Sequence, residues 1–524
     1  MSGDERQVQH TPQPPAPDPT QKLQSGPDAA AGPLVVSPAN PRYFTVASGD
    51  AAGRRVVYLT GSHIWNNFHD GLGPGPTCAD TPERNDYDAY LRFLDERGHN
   101  FIRLWRWEQF RSQAALGAFH LCMSPQPWMR TGPGTATDGK PKFDLSQFEL
   151  AYFDRLRERV IAAGNRGMYV GVMLFEGWAI HLSPAPDHVE GHPFHAANNV
   201  NGIGIKSILD YQVLPIDPRV QALQEAYIKK VIDTVHDLPN VLWEVVNESS
   251  GGGRVDQQFA EMMGMPEIPD WGDSTEWQYW VIDVVKRYER EREYDPHPIG
   301  MTMQFPVADQ GKVNAPLYAS AAEWISPGYD DEVFANGGHP MAPGSPPSRW
   351  YADPPAADGA KVVITDTDHY APGQGDALWA WKSFLRGHHP ILMDFGIIDV
   401  VNPLEPSSGV PPFEFYEPAR LAMGDTRRYA DRMRLVSMVP RGDLTSTGFA
   451  LANPGEEYLV LQPNESADEF GVELAPGTYS VEWFSVTSRE TVTADAVTVE
   501  HGEKRGFRTP FTNAGPSVLY VKRT

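Results

Sequence analysis

The chain has 524 residues, too many for one typical domain and enough for a (β/α)8 barrel of about 250 residues or more plus a smaller module. Its 44 Lys and Arg against 68 Asp and Glu give a net charge of −24, which argues against nucleic acid or an anionic membrane as the main partner and leaves neutral sugars compatible. No apolar run approaches the roughly 20 residues of a membrane helix, and residues 1–30 lack the apolar centre of a secretion signal, so a soluble, cytoplasmic protein is expected. Only Cys78 and Cys122 are present. They exclude a disulfide framework and a four-cysteine zinc site and leave one bridge between them open.

In chain order, residues 1–40 are rich in Pro, Gln, Asp and Ala, and read as a disordered leader. A barrel is expected over 41–440. Its first strand reads as Val56 to His63, with His63, Trp65 and Asn66 at the outgoing end. Tyr87, Tyr90, Leu91 and Leu94 recur at i, i+3, i+4 and i+7 and predict an amphipathic helix that stops near Gly98. Asn100 to Trp105 suits strand two. Phe148, Tyr152, Leu156 and Val160 mark the next helix, and Gly167 to Glu176 suits strand three. Asp217 and Pro218 form an N-cap and first-turn pair for a helix carrying Val220, Leu223, Tyr227, Val231 and Val235.

That helix feeds Asn240-Val-Leu-Trp-Glu-Val-Val-Asn-Glu-Ser249, strand four, which is apolar on both faces as in a parallel sheet and ends in Asn247-Glu248. Alternation places Glu244 and Glu248 on one face, with Glu244 about 13 Å deeper at roughly 3.3 Å per residue. Pro298 to Gln304 suits strand five, Ala319 to Trp324 strand six, Lys361 to His369 strand seven and His389 to Gly396 strand eight. Helices fit at Ser274–Arg292, Asp376–Gly387 and Glu417–Met438. Eight strands alternating with helices favour a closed (β/α)8 TIM barrel over an open sheet. The Pro- and Gly-rich stretch from Pro327 to Pro355 is expected as a long loop on the active face. Over 441–524 short β segments separated by turns such as Asn453-Pro454-Gly455 and Pro476-Gly477 predict a small C-terminal antiparallel β-sandwich, more suited to capping the barrel than to binding sugar.

Active sites of such barrels sit at the carboxyl ends of the strands, where this chain presents carboxylates. Cleaving a glycosidic bond takes one acid to protonate the leaving oxygen and a second to attack, stabilise or activate water at the anomeric carbon. Glu248 is the expected first group. Asp366 or Asp368, across the mouth on strand seven, is the second, and Asp366 is preferred although both remain open. The two share a face, so one lies deeper.

These residues resemble a known group. Trp243-Glu244-Val-Val-Asn247-Glu248 resembles the acid/base motif on strand four of clan A glycoside hydrolases, the cellulase-like retaining barrels, and Arg103 resembles the arginine their second strand supplies beside the nucleophile. The whole plan, over about residues 42–523, is similar to cellulase-like and apiosidase-like hydrolases that carry a C-terminal domain of the collagen-binding type. The resemblance implies Glu248 as general acid/base, Asn247 as a sugar-hydroxyl ligand and Asp366 or Asp368 as nucleophile. It departs at strand seven, where Asp stands for the usual Glu. Loss of a methylene widens the carboxylate gap toward one that admits a water, so inversion stays open beside the expected retention. Strand eight ends in Asp394 where many relatives place Trp.

His63, Trp65, Glu108, Glu176, Trp178, Gln304, Glu323, Trp324 and His369 all follow strand-like segments and are candidate sugar ligands. A metal site on Asp187, His188, Glu190, His192 and His195 is disfavoured by their loop-like spacing, and no cofactor is expected. The substrate class is an oligosaccharide or small glycoside. Two rivals remain: a non-catalytic carbohydrate-binding barrel, and a metal-dependent barrel hydrolase. Sugar identity, linkage and oligomeric state are not specified by the sequence.

Overall fold

The computed structural model describes residues 21–23, 29–47, 56–73, 85–113, 120–182, 189–255, 257–262, 270–329, 347–371, 373–397, 413–465, 468–511 and 515–524. Eight parallel strands form the central sheet: β1 (Gly61–His63), β2 (Phe101–Leu104), β3 (Tyr169–Glu176), β4 (Val241–Asn247), β5 (Ile299–Thr302), β6 (Trp324–Ser326), β7 (Val362–Asp366) and β8 (His389–Met393). Their spatial order is β1-β8-β7-β6-β5-β4-β3-β2. The backbone amides of Asn100 and Phe101 donate to Thr60 O at 2.9 and 3.1 Å, which brings β2 back to β1 and nearly closes the barrel. A Cβ at Gly61 would lie 2.2 Å from Phe101 O, so only glycine permits that approach.

Helices cover the outside where the sequence places them. Helix Pro218–Val235 begins as expected, with the Asp217 side chain accepting from Arg219 N and proline in its first turn. Asp376 caps helix Ala377–Leu385 in the same way, accepting from Trp379 N at 2.7 Å.

The N-terminal segment differs from expectation. Leu34–Val36 pairs with Phe44–Val46, which pairs with Val56–Val57. Leu34 and Phe44 are fully buried among Leu59, Phe101, Tyr169, Leu242, Trp324 and Val362, and this apolar cluster plugs the amino-terminal end of the barrel. The disordered leader expected to reach residue 40 therefore gives way to structure by residue 34. The apolar triplet Leu34-Val-Val36 gains from covering the open barrel floor what it could not gain alone. Residues 1–20 lie outside the described ones.

The second difference is in β6. The sequence suggested Ala319 to Trp324, but Ala315–Ala319 is a short helix and the strand is Trp324–Ser326. Pairing decides this, because Trp324 sits opposite Gly300 on β5 and Val362 on β7. The Trp324 indole occupies the space a Cβ on Gly300 would take, 1.9 Å from its Cε2. Glu323 and Trp324 thus stand at the incoming end of their strand instead of the outgoing one.

C-terminal to the barrel, an antiparallel sheet runs in the order Val439–Pro440, Ala450–Asn453, Glu457–Gln462, Ser517–Arg523, Gly477–Ser485, Thr491–Val499. Phe470–Leu474 and Glu503–Phe507 pair as a second, smaller sheet. Period-two alternation divides the large sheet's side chains. Ala450, Ala452, Tyr458, Val460, Leu519 and Val521 face the small sheet, whereas Leu451, Leu459, Leu461, Phe484, Val518 and Tyr520 join the barrel's own core. Phe484 lies 5.8 Å from Trp381 between ring centroids, and Arg432 and the Tyr429 hydroxyl both donate to Glu482. Both faces of its central strands are thus covered, while the edge strand Thr491–Val499 is largely exposed.

Cys122 is disulfide-bonded, and Cys78, the only other cysteine in the sequence, lies outside the described residues. No helix among the described residues is long and apolar enough to cross a membrane.

Candidate active site

Above the apolar plug the barrel interior turns polar, and Arg103 on β2 is its centre. Its guanidinium donates to both oxygens of Glu244 on β4, with Nε–Oε2 at 2.8 Å and Nη2–Oε1 at 2.6 Å. Nη2 also donates to Asn247 Oδ1 at 2.6 Å, while Nη1 reaches Asp366 Oδ2 at 3.2 Å and Asp368 Oδ2 at 3.1 Å. Arg103 is 2% exposed. A cation so buried persists only when its donors are matched by acceptors, which these strands supply from across the barrel.

The two strand-seven aspartates have distinct environments. Asp366 is fully buried, and both its oxygens are engaged: Oδ1 accepts from Asp368 N at 3.0 Å, and Oδ2 lies 2.8 Å from His63 Nε2 as well as on Arg103. Burial alone would push this carboxyl up, but His63 and Arg103 outweigh it and hold it well below the usual carboxylate range. After Asp366 the chain enters a single 3-10 turn, Thr367–His369, capped by the Asp366 side chain. That turn lifts Asp368 toward the mouth with its side chain 12% exposed. Burial, then the charge of Asp366, pushes Asp368 up to about 6.

Glu248 stands directly after β4 with φ of 44°, in the left-handed region that a non-glycine residue seldom occupies. Such strain persists where surrounding structure imposes it, and it concentrates at functional sites. One carboxylate oxygen each of Glu248 and Asp368 and a ring nitrogen of His369 all lie within 4.8 Å of one another. Burial, followed by the charge of Asp368, raises Glu248 well above the ordinary glutamate range. His369 is fully buried, with Nδ1 2.7 Å from Ser326 Oγ. Burial and the nearby Arg103 push it down to about 3, so the ring is neutral.

Other expected ligands fall into two groups. Glu176, at the end of β3, is fully buried and accepts from Ala179 N and from the Asn247 side chain, with burial pushing it up to about 8. His63 lies stacked near Trp105 at 6.2 Å, and Trp65 sits edge-on to Phe395. Glu108 is held in a buried network of its own. It accepts from Glu176 N at 2.8 Å, pairs with His192 at 3.2 Å, and takes the Tyr211 hydroxyl. His192 is therefore a brace for Glu108, while Asp187 and His188 lie outside the described residues. Trp178 is half-buried, edge-on to Trp107.

Three expectations are corrected. Glu323 pairs with Lys286 and accepts from Ile299 N at 3.0 Å, at the amino-terminal end of the barrel. Trp324 belongs to the apolar plug at that same end. Gln304 has its amide engaged by neighbouring loops, donating to Ser250 O at 3.2 Å and Thr275 Oγ1 at 3.0 Å. The first two follow from the shift of β6, and the third from a buried amide finding its partners in neighbouring loops. Asp394 is held by Arg420 through two 2.7 Å bonds, which makes it a buried ion pair beneath the mouth.

Two residues near the pair escaped the sequence reading. Trp105 shares an inward face with Arg103 by alternation, and its ring lies 4.8 Å from the guanidinium carbon. Tyr329 is 8% exposed, and burial together with the charges of Glu248 and Asp368 raises its hydroxyl. Alternation could have found the first. Nothing in the Pro- and Gly-rich stretch marks the second.

Comparison with known proteins bears on this arrangement. A family profile described as a domain of unknown function, DUF6298, matches residues 119–293. No curated protein sequence matches the chain. A solved structure titled glycoside hydrolase superposes with a TM-score of 0.55 at 14% identity, covering 94% of this chain and 97% of its own. A family 5 glycoside hydrolase from Bacteroides vulgatus gives 0.55 at 13% identity, covering 96% of each. The fold is one that glycoside hydrolases share. At these identities the likeness is one of fold, over 94–96% of the chain.

Proposed function

We propose that the protein is a retaining glycoside hydrolase, with Glu248 as general acid/base and Asp368 as nucleophile. One observation carries this reading: carboxylate oxygens of the two residues, from strands on opposite sides of the barrel, lie within 4.8 Å of each other. Retaining enzymes hold their carboxyl groups about 5–5.5 Å apart, inverting ones roughly 6.5–9.5 Å. The 3-10 turn after β7 offsets the missing methylene, because it carries Asp368 two residues beyond the strand. Both Asp366 oxygens are engaged, whereas among the described residues Asp368 is bonded through Oδ2, to Arg103, with Oδ1 unengaged.

In the first step protonated Glu248 donates to the glycosidic oxygen as Asp368 attacks the anomeric carbon, giving a glycosyl ester and the freed alcohol. In the second, Glu248 takes a proton from water, which displaces Asp368 and returns both carboxyls to their starting states. Arg103 and His63 are positioning residues that act through Asp366 and Asp368, and Asn247 joins Arg103 to Glu176. A panel of aryl pyranosides and furanosides would identify the sugar, and proton NMR of the first product would read its anomeric configuration. Retention is expected; initial release of the inverted anomer would remove Asp368 as nucleophile.

The pH dependence follows from the same pair. Activity requires Asp368 ionised and Glu248 protonated, so kcat/KM should rise through about pH 6 as Asp368 loses its proton. It should fall at higher pH as Glu248, held up by burial and by Asp368, loses its own. A profile without the acid limb would contradict the assignment of Asp368.

The central strands of the C-terminal sheet, packed on the barrel on one face and on the small sheet on the other, support a bracing role over ligand capture. The disulfide at Cys122 favours an oxidising compartment over the cytoplasm expected from the sequence.

A further inference from the structure

We propose that Glu248, Asp368 and His369 together form a binding site for a zinc-type divalent cation, which competes with the sugar for the carboxylate pair. Only the competition rests on the glycosidase reading; the binding site stands on geometry.

His369 supplies the decisive feature. Its ring is fully buried, Nδ1 lies 2.7 Å from Ser326 Oγ, and Nε2 has no hydrogen-bond partner among the described residues. Asp368 Oδ2 lies 3.9 Å from Nε2, too far for a hydrogen bond. The tautomer this favours has Nδ1–H donating to the serine oxygen and a lone pair on Nε2 aimed at the two carboxylates. An imidazole whose far N–H is engaged and whose other nitrogen is bare is the arrangement metal-ligating histidines adopt.

One imidazole and two carboxylates match zinc and its neighbours better than magnesium or calcium, which prefer all-oxygen shells. Zinc bonds of about 2.0–2.2 Å place ligand atoms roughly 3.3–3.6 Å apart. From separations of at most 4.8 Å, the three side chains need close by no more than roughly 1.5 Å. Glu248 has three side-chain torsions to do so. The charge balance also favours a cation: Arg103 is already shared by Glu244, Asp366 and Asp368, which leaves an excess of carboxylate around the pocket.

The test is calorimetric titration of chelator-treated full-length protein with zinc chloride alone, with magnesium chloride in parallel. One zinc per chain is expected, with no magnesium heat. His369→Ala and Glu248→Gln should each weaken zinc by more than the roughly 10–100-fold that loss of a ligand's outer hydrogen-bond partner costs, with thermal melts confirming that both variants fold. Absence of zinc binding, or unchanged affinity in either folded variant, overturns the site. Against an aryl glycoside substrate, zinc should raise apparent KM without lowering kcat, and chelator should reverse it. Stimulation by zinc would overturn the competition and favour metal-dependent hydrolysis. Should no glycoside be turned over, the glycosidase reading fails while calorimetry still decides the cation site.

Discussion

Asp368→Asn is expected to lower turnover of an activated aryl glycoside by on the order of 10⁴-fold or more, the scale of loss when a covalent nucleophile is removed. Asparagine keeps the shape of the side chain and its amide oxygen can still accept from Arg103, so loss of activity would report lost nucleophilicity and not collapse. Added azide should restore turnover and yield a glycosyl azide of inverted configuration, because it attacks through the space the carboxylate has left. Asp366→Asn gives the contrast. Its carboxylate is wholly buried against His63 and Arg103, and breaking such a pair costs about 3–5 kcal/mol. The expected result is a large fall in melting temperature, and no azide rescue. Rescue of Asp366→Asn with an inert response in Asp368→Asn would reverse the two roles.

Glu248→Gln should slow hydrolysis of substrates with poor leaving groups about 10²–10⁴-fold, the usual contribution of a positioned acid. A dinitrophenyl leaving group needs no proton, so its first step should survive and the glycosyl ester should accumulate as a burst. Azide should then release product of retained configuration, and the alkaline limb of the pH profile should vanish. The same substitution should act oppositely on stability. Folding raises the pKa of Glu248, so the protonated carboxyl contributes stability that is fully present below its unfolded pKa and lost as pH rises through the folded value. Glutamine cannot ionise. The variant should therefore melt above the parent at alkaline pH, with the gap shrinking toward acid; a lower melting temperature across the whole range would contradict burial of Glu248 beside Asp368.

Much of this architecture is local and was legible without coordinates. The apolar run into Asn247-Glu248, the Asp217-Pro218 cap and the spacing of Tyr87, Tyr90, Leu91 and Leu94 each specify an element through backbone sterics, capping or periodicity, and each element lies where its residues placed it. Alternation also identified Asp366 and Asp368 as acids of one face. The expectation from sequence preferred Asp366, whereas the proposed nucleophile is Asp368. Which one is spent on structure depends on His63 and Arg103, which come from other strands, and on the single turn that carries Asp368 past the strand end. Likewise, β6 has too few residues to show a period, and only its pairing beside Gly300 and Val362 consigns Trp324 to the floor of the barrel and Glu323 to a surface ion pair. Side-chain direction is a property of the local chain, whereas depth and partnership are set by contacts between strands remote in sequence.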